Sequence, residues 1–273
     1  MGITARSNLR AEADHLRSLH DNSTPLILPN AWDVGTARLM EQAGSRAIAT
    51  TSGGVAWSHG YPDGDRLPVR LLTQTVAGIA RMVSVPVSVD IEGGYSDDPA
   101  QVEETIAAVI DAGAVGINIE DGPGTVDLLC AKIDRAKQAG DRLGVPLFIN
   151  VRTDVYLRGL APGEEIAEVI RRAGQYAAAG MDGLFVPGVA DPESIHAIAE
   201  AVDQPLNVMA VPGLPSAAEL GRLGVRRLSA GTGLTQAMYG RAKDLAEAFL
   251  KDGVADPVST AGMGYPEIND LFD

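Results

Sequence analysis

Two stretches of this sequence place carboxylates where an apolar run ends: Val89-Asp90-Ile91-Glu92-Gly93-Gly94-Tyr95 and Asn118-Ile119-Glu120-Asp121-Gly122. Each apolar run reads as a buried strand, and an unpaired charge at its end is costly to bury. Several such carboxylates converging on one point need a cation, and a divalent metal held through oxygen is the simplest. Asp90 and Glu92 are two residues apart, which on a strand puts both side chains on one face. Gly93 and Gly94 then let the backbone turn close to a ligand. Asp97 and Asp98, before Pro99, belong instead to a helix start. Glu120 is the better ligand candidate of its pair, with Asp121 a candidate turn residue. Mg2+ takes only one or two direct carboxylates and keeps several waters, so some of these acids hold water rather than metal.

Three more clusters carry chemistry. Thr50-Thr51-Ser52-Gly53-Gly54 can present successive backbone N–H groups as an anion nest, or form a plain glycine turn. In Asn150-Val151-Arg152-Thr153-Asp154, Arg152 either clamps a substrate carboxylate bidentately or forms a structural ion pair with Asp154 or Glu120. Ser229-Ala230-Gly231-Thr232-Gly233 is either a phosphate-type loop or a tight turn into the last helix. Cys130 sits in a helical pattern and suits a packed helix residue better than a catalytic thiol. His59 lies in a Gly-rich loop, as a site residue or merely exposed; His15, His20 and His196 lie on or beside helices.

These clusters are positioned by a repeating element pair. A helix ends in a small-residue-Gly turn and a short apolar strand follows, at Gly44, Gly113, Gly180 and Gly224. Each glycine stands where a helix C-cap takes a left-handed turn. Strands are expected near 26–30, 46–50, 86–90, 115–119, 146–151, 183–186, 206–210 and 226–229. Helices fill the gaps near 33–43, 69–82, 99–112, 126–140, 164–179, 191–201, 216–222 and 235–250, with an extra amphipathic helix near 4–19. Eight strand–helix units in sequence predict an α/β fold, a (β/α)8 TIM barrel, over residues 1–273 as one domain. From about 252 a Gly- and Pro-containing stretch reads as a surface tail, or as a segment that packs on a neighbouring subunit. A barrel gathers the strand C-termini at one mouth, which brings Asn30, Ser52, Asp90, Glu120, Arg152 and Asn207 together.

Composition narrows the function. A net charge of -14 over 273 residues disfavours nucleic acid and anionic membrane as partners, but not a small anion held by a local cation. The single cysteine excludes an internal disulfide and fits a reducing compartment. No run of about 18 apolar residues exists to span a membrane. The first residues, Met1-Gly2-Ile3-Thr4-Ala5-Arg6, lack the apolar stretch of a secretory signal, so a cytoplasmic location is expected.

Taken together, the motifs resemble the isocitrate lyase and phosphoenolpyruvate mutase superfamily. Leu28-Pro29-Asn30-Ala31-Trp32-Asp33, Ser52-Gly53-Gly54, Gly60-Tyr61-Pro62-Asp63-Gly64, Asp90-Ile91-Glu92-Gly93-Gly94-Tyr95, Ile119-Glu120-Asp121 and Val151-Arg152-Thr153-Asp154 follow in the expected order. The resemblance implies a Mg2+ enzyme, with Mn2+ as a substitute, acting on a small 2-oxo or 2-hydroxy carboxylate or dicarboxylate through an enolate. It implies Asp90 as the principal metal ligand, with Asp63, Glu92 and Glu120 reaching the metal mainly through water. It gives Ser52, Gly53 and Gly54 the substrate oxygens and Arg152 the substrate carboxylate; Asn207 is a further substrate-binding candidate and Glu120 a further catalytic one. It also implies a homo-oligomer, a dimer or tetramer, with the C-terminal helix as an element to exchange between subunits.

One departure matters. The isocitrate and methylisocitrate lyases carry a Lys-Lys/Arg-Cys-Gly-type motif after the fourth strand, whose Cys is the acid. Here Glu120-Asp121-Gly122-Pro123-Gly124-Thr125-Val126-Asp127 leads straight into a helix, and Cys130 lies outside such a motif. A carbon–carbon lyase that needs less of that loop, such as one decarboxylating an oxaloacetate-like acid, is the leading expectation. Tyr95, His59 or a water are the candidates for handling the proton. Phosphonate chemistry of the phosphoenolpyruvate mutase type and a non-catalytic 2-oxo acid binding protein are the alternatives.

Overall fold

A computed structural model of the chain describes residues 3–260 and 262–273, with side chains from residue 8 onward. Helix α1 (Ile3–Ser18) precedes β1 (Leu26–Leu28), α2 (Val34–Gln42), β2 (Ile48–Ala49), α3 (Ser52–Ser58), α4 (Val69–Met82) and β3 (Val87–Asp90). Then come α5 (Pro99–Asp111), β4 (Gly116–Glu120), α6 (Val126–Leu143), β5 (Phe148–Arg152), α7 (Glu165–Ala179) and β6 (Gly183–Val186). The chain continues through α8 (Pro192–Ala201), β7 (Leu206–Met209), α9 (Ala217–Arg222), β8 (Val225–Ser229) and α10 (Gly233–Asp252), and ends with α11 (Asp256–Ser259) and α12 (Tyr265–Asn269).

The eight strands are all parallel, in the order β1-β8-β7-β6-β5-β4-β3-β2. A parallel bridge between Ala31 and Thr50, just past β1 and β2, joins the two edges. The result is a nearly closed (β/α)8 barrel with its helices outside, as the eight expected strand–helix units require.

Local signals set the helix ends. Asp98 accepts from the Ala100 N–H with Pro99 in the first turn, and Thr125 accepts from the Leu128 N–H. Ser216 and Glu219 cap α9 reciprocally. Gly44, Gly113, Gly180 and Gly224 all have φ between 98° and 113°, the left-handed conformation that stops each helix and aims the next strand. Helix α1 seals the barrel at the N-terminal end of the strands. There Leu16 lies so close to β4 that a Cβ on Gly116 would sit 2.7 Å from its Cδ2. His20 stacks on Phe148 with ring centroids 4.3 Å apart.

Three expectations change. Helix α3 begins at Ser52, inside the 50–54 stretch read as an anion nest or a plain glycine turn. Two glycines cost a helix about 1 kcal/mol each, but Gly54 is packed so closely that a Cβ would meet Thr51, Thr235 and Trp32 atoms at 2.6–2.8 Å. Close packing therefore overrides propensity. Strand β3 ends at Asp90, so Glu92 is not on a strand face with it; Ile91 is buried and Glu92 turns with φ 53°. The segment beyond 252 is not only a surface tail: Leu271 is buried, and its carbonyl accepts from Arg38 Nε at 2.7 Å on α2.

Candidate active site

The C-terminal ends of the strands enclose a cavity of about 220 Å³. Asp90 stands at its β3 edge. Its backbone N–H donates to Thr50 Oγ1 at 2.9 Å, and its Oδ1 accepts from the Glu92 N–H at 3.0 Å. Burial raises the Asp90 pKa and Asp63 adds to it, while Arg152 and the amide of Asn118 pull it down. Asn118 is held in one orientation. Its Oδ1 accepts from Asn150 Nδ2 at 2.9 Å and from Arg227 Nη2 at 3.3 Å, so its NH2 is left to face Asp90 and the cavity.

Glu92 organises the loop that carries Asp63. Its Oε2 accepts from the Gly64 N–H at 2.7 Å and from the Asp65 N–H. Asp65 Oδ1 in turn accepts from the Tyr95 N–H at 2.9 Å. Burial, with Asp63, Asp65 and Asp90 nearby, pushes the Glu92 pKa up to about 7. Asn30, Asp65, Glu92 and Tyr95 all have positive φ, between 53° and 62°. Such strained backbone persists where the surroundings over-determine it, and here it clusters at the mouth.

Arg152 at the end of β5 forms the ion pairs read from the sequence as one of its two alternatives, with both Asp154 and Glu120. Its Nε and Nη2 bond Asp154 at 2.6 and 3.1 Å, and its Nη1 meets Glu120 Oε2 at 2.6 Å. The two bonds to Asp154 use the Nε–H and one Nη2 N–H, and the Glu120 contact is an ion pair, so both terminal nitrogens keep N–H groups for a further carboxylate. The carboxylates around it raise the Arg152 pKa, so the cation is permanent. Glu120 is pushed up to about 8 by burial and by Asp90, Asp154 and Glu92, with Arg152 acting against them.

Of the residues singled out from sequence, Ser52, Asp63, Asp90 and Arg152 line the cavity, together with Asn30, Thr51 and, after β8, Ser229, Gly231 and Thr232. Gly53 and Gly54 lie behind Ser52 in the first turn of α3, where helix N–H groups have no intrahelical partner. Glu92 and Glu120 stand one layer back, against Asp63 and Arg152. Asn207 does not line the cavity; it is fully buried in the barrel, with its Oδ1 accepting from Ser229 Oγ at 3.0 Å. His59 bonds Thr75 at 2.9 Å and also stays outside the lining. Asp121 is a structural hub rather than a turn residue. It accepts from Thr153 Oγ1, Arg172 Nη1, Tyr176 OH and the Asp154 N–H at 2.7–2.9 Å.

Sequence reasoning missed Asn118 and the apolar side of the cavity. Two residues before Glu120 on β4, Asn118 shares its face, so strand alternation could have found it. Phe185 pairs in register with Arg152, a relation visible only once β5 and β6 are neighbours.

The donor set suits a hard divalent cation. Asp63, Asp90, Glu92 and Glu120 offer only oxygen, and burial first, then their mutual repulsion, raises Glu92 and Glu120. Among the described residues, no three His, Cys, Asp or Glu side chains form a metal cage by themselves.

A family model described as phosphoenolpyruvate phosphomutase matches residues 16–250. An uncharacterized protein of Mycobacterium tuberculosis (strain ATCC 25618 / H37Rv) is 40% identical over 218 residues, covering 78% of this chain and 80% of the relative. A 2-methylisocitrate lyase of Escherichia coli (strain K12) is 30% identical over 214 residues, covering 73% and 70%. Among solved structures, a Burkholderia cenocepacia J2315 protein provisionally classed as a lyase/mutase superposes with TM-score 0.87 at 35% identity, covering 97% and 96%. A phosphonopyruvate hydrolase in complex with oxalate and Mg++ superposes with TM-score 0.83 at 25% identity, covering 95% and 94%.

Proposed function

The chain belongs to the phosphoenolpyruvate phosphomutase family, and from that premise we propose that it is a Mg2+-dependent carbon–carbon lyase acting on a small 2-oxo or 2-hydroxy carboxylate. The observation that carries the proposal is the convergence of Asp90, Arg152 and Ser52 on one small cavity. Asp90 would hold the metal directly, and Asp63, Glu92 and Glu120 would hold its waters. When bound, Mg2+ supplies the positive charge that stabilises an enolate oxygen as it forms.

The residues divide the remaining work. Arg152 grips the substrate C1 carboxylate with N–H groups of its terminal nitrogens. Ser52 and the first-turn amides of α3 donate to the developing oxyanion, and one such donor is typically worth about 3 kcal/mol in the transition state. Asn118 donates its NH2 to Asp90 and fixes that carboxylate. The bond beside the carbonyl breaks with its electron pair entering the enolate. The departing carbon leaves as CO2 or as a carbonyl compound, and the enolate carbon then takes a proton. The cavity lining holds no His, Cys or Lys, so that proton comes from water or a hydroxyl such as that of Ser52.

A panel of 2-oxo and 2-hydroxy acids, assayed with Mg2+ and with EDTA, tests this directly. Metal-dependent turnover that is abolished in Asp90→Ala is expected. No turnover of any acid, or an Asp90→Ala enzyme equal to wild type, overturns the proposal. The short 121–125 connection favours one second reading, a 2-oxo acid binding protein without catalysis. Mg2+-dependent binding with no product by mass spectrometry would select it.

A homo-oligomer fits the outer surface. Of the 20 residues of α10 only Thr235 is buried. Met238, Tyr239, Phe249 and Leu250 are exposed on α10, and Tyr265 follows on α12. Apolar surface of this extent is usual at a subunit interface. Among the described residues no helix is long and apolar enough to cross a membrane.

A further inference from the structure

Arg227 is a buried cation without a carboxylate of its own. Burial alternates along β8, so Val225, Arg227 and Ser229 face the barrel interior. Ser229 lines the cavity, which puts Arg227 one layer beneath its floor. The residue is fully buried. Its Nη2 donates to Asn118 Oδ1 at 3.3 Å, while Nε and Nη1 have no partner among the described residues. Asn207, its register neighbour on β7, also holds a buried NH2 without a partner. Asp90 lies beyond Asn118 and accepts from its amide, so one side chain separates the guanidinium from the metal carboxylate. Burial pulls the Arg227 pKa down to about 10, and Asp90 opposes that shift. The group is therefore charged at neutral pH.

We propose that Arg227 is the fixed cation beneath the metal site: across Asn118 its charge loosens the hold on Mg2+ and tightens the hold on the anion that the metal carries. The inference rests on the Mg2+ reading above and deepens it. A guanidinium out of water with two unpartnered nitrogens is strongly unfavourable, and an apolar side chain of similar size often folds as well in such a place. Nor is Arg227 needed to orient Asn118, because Asn150 Nδ2 donates to the same oxygen at 2.9 Å. What Arg227 adds here is charge. Asp63, Asp90, Glu92 and Glu120 by themselves attract a divalent ion and repel an anionic 2-oxo acid. A positive charge below them shifts the two affinities in opposite directions. Arg152 lines the cavity and can touch the ligand, whereas Arg227 acts only through its field.

Calorimetry on the whole chain tests this, with Mg2+ alone and then with oxalate at saturating Mg2+, at about pH 8.5, above the ordinary carboxyl range. Oxalate carries the carboxylate and the neighbouring oxygen of a 2-oxo acid head. Arg227→Met removes the charge. Asn207→Asp sets a carboxylate beside it, in register, and neutralises it by a second route. Each variant is expected to bind Mg2+ at least about five-fold more tightly and oxalate at least about five-fold more weakly, modest shifts for a unit charge one amide away. Arg227→Lys keeps the charge and should hold both constants near wild type. Packing damage would weaken both ligands together, so opposed shifts report charge. If Arg227→Met does not fold, Asn207→Asp decides alone. Unmoved constants, shifts of one sign for both ligands, Arg227→Lys behaving as Arg227→Met does, or no oxalate binding by wild type overturn the inference and leave the Mg2+ reading standing. A wild type that binds no Mg2+ overturns both.

Discussion

Glu92 makes the crowding of acids measurable. Its carboxyl moves from 4.5 to about 7 on folding, so between those values the folded protein keeps a proton that the unfolded chain has released. For a carboxyl raised in this way, stability is fully present below the unfolded value and is lost as pH rises through the folded one. The gap between 4.5 and about 7 is about 2.5 pH units. At roughly 1.4 kcal/mol per unit the ceiling is about 3.5 kcal/mol, and solvent reaching the group lowers the expectation to about 1–2 kcal/mol. His20 acts with the opposite sign. Burial takes it from 6.5 down to about 3, so its contribution is full above 6.5 and is lost as pH falls through 3. The informative quantity is therefore the difference between wild type and Glu92→Gln, in which His20 cancels. Urea unfolding in EDTA at about pH 5 and about pH 8 should show Glu92→Gln gaining about 1–2 kcal/mol on wild type at the higher pH. Mg2+ should stabilise wild type more at pH 8 than at pH 5, with a smaller pH effect in the variant. A difference between the two proteins that stays constant with pH, or metal stabilisation independent of pH, would refute the reasoning.

Other substitutions probe the remaining parts. Asp121→Ala removes the acceptor of four hydrogen bonds, three of them buried, leaves Arg172 only its Glu168 partner, and should cost about 3–5 kcal/mol in urea unfolding, with Asp121→Asn recovering part of it. Gly54→Ala forces a Cβ to within 2.6–2.8 Å of three residues and should lower both the melting temperature and substrate affinity, because α3 must move. Arg152→Lys keeps the charge but loses the fork, so kcat/KM should fall about 100-fold while circular dichroism is unchanged. Replacing Phe249 and Leu250 with Glu should convert an oligomer to a smaller species by light scattering; unchanged mass would exclude α10 as the contact.

Much of the barrel is written locally. Gly44, Gly113, Gly180 and Gly224 mark helix ends because their left-handed conformation is a property of a few neighbouring residues. Asp90 and Arg152 were legible for a related reason: charge at the end of an apolar run has few uses. What stayed hidden depends on distant neighbours. Helix α3 forms against local propensity because Trp32 and Thr235 close around Gly54. Asp121 becomes a hub only when α7 brings Arg172 and Tyr176 to it. Asn207 reads as a mouth residue, yet β7 runs on to Met209, which lines the cavity while Asn207 stays buried in the barrel. The apolar side of the cavity escaped notice because Phe185 and Met209 look like ordinary core until the barrel curls them toward the mouth.

The make-up of the cavity lining also bears on how such a protein can change. Its charged side chains come from β2 to β5 and the loops after them, its apolar ones from the β5–α7 loop, β6 and β7, and a neutral polar group, Asn30, Ser229 and Thr232, from the ends of β1 and β8, so these are separate stretches of chain. Mutations at Leu157 or Met209 can alter which molecule is accepted while Asp90, Asn118 and Arg152 keep their geometry. Ligand range and bond-breaking are thus separately heritable traits here, and a lineage carrying this barrel could acquire a new substrate through a few substitutions without first surrendering its reaction.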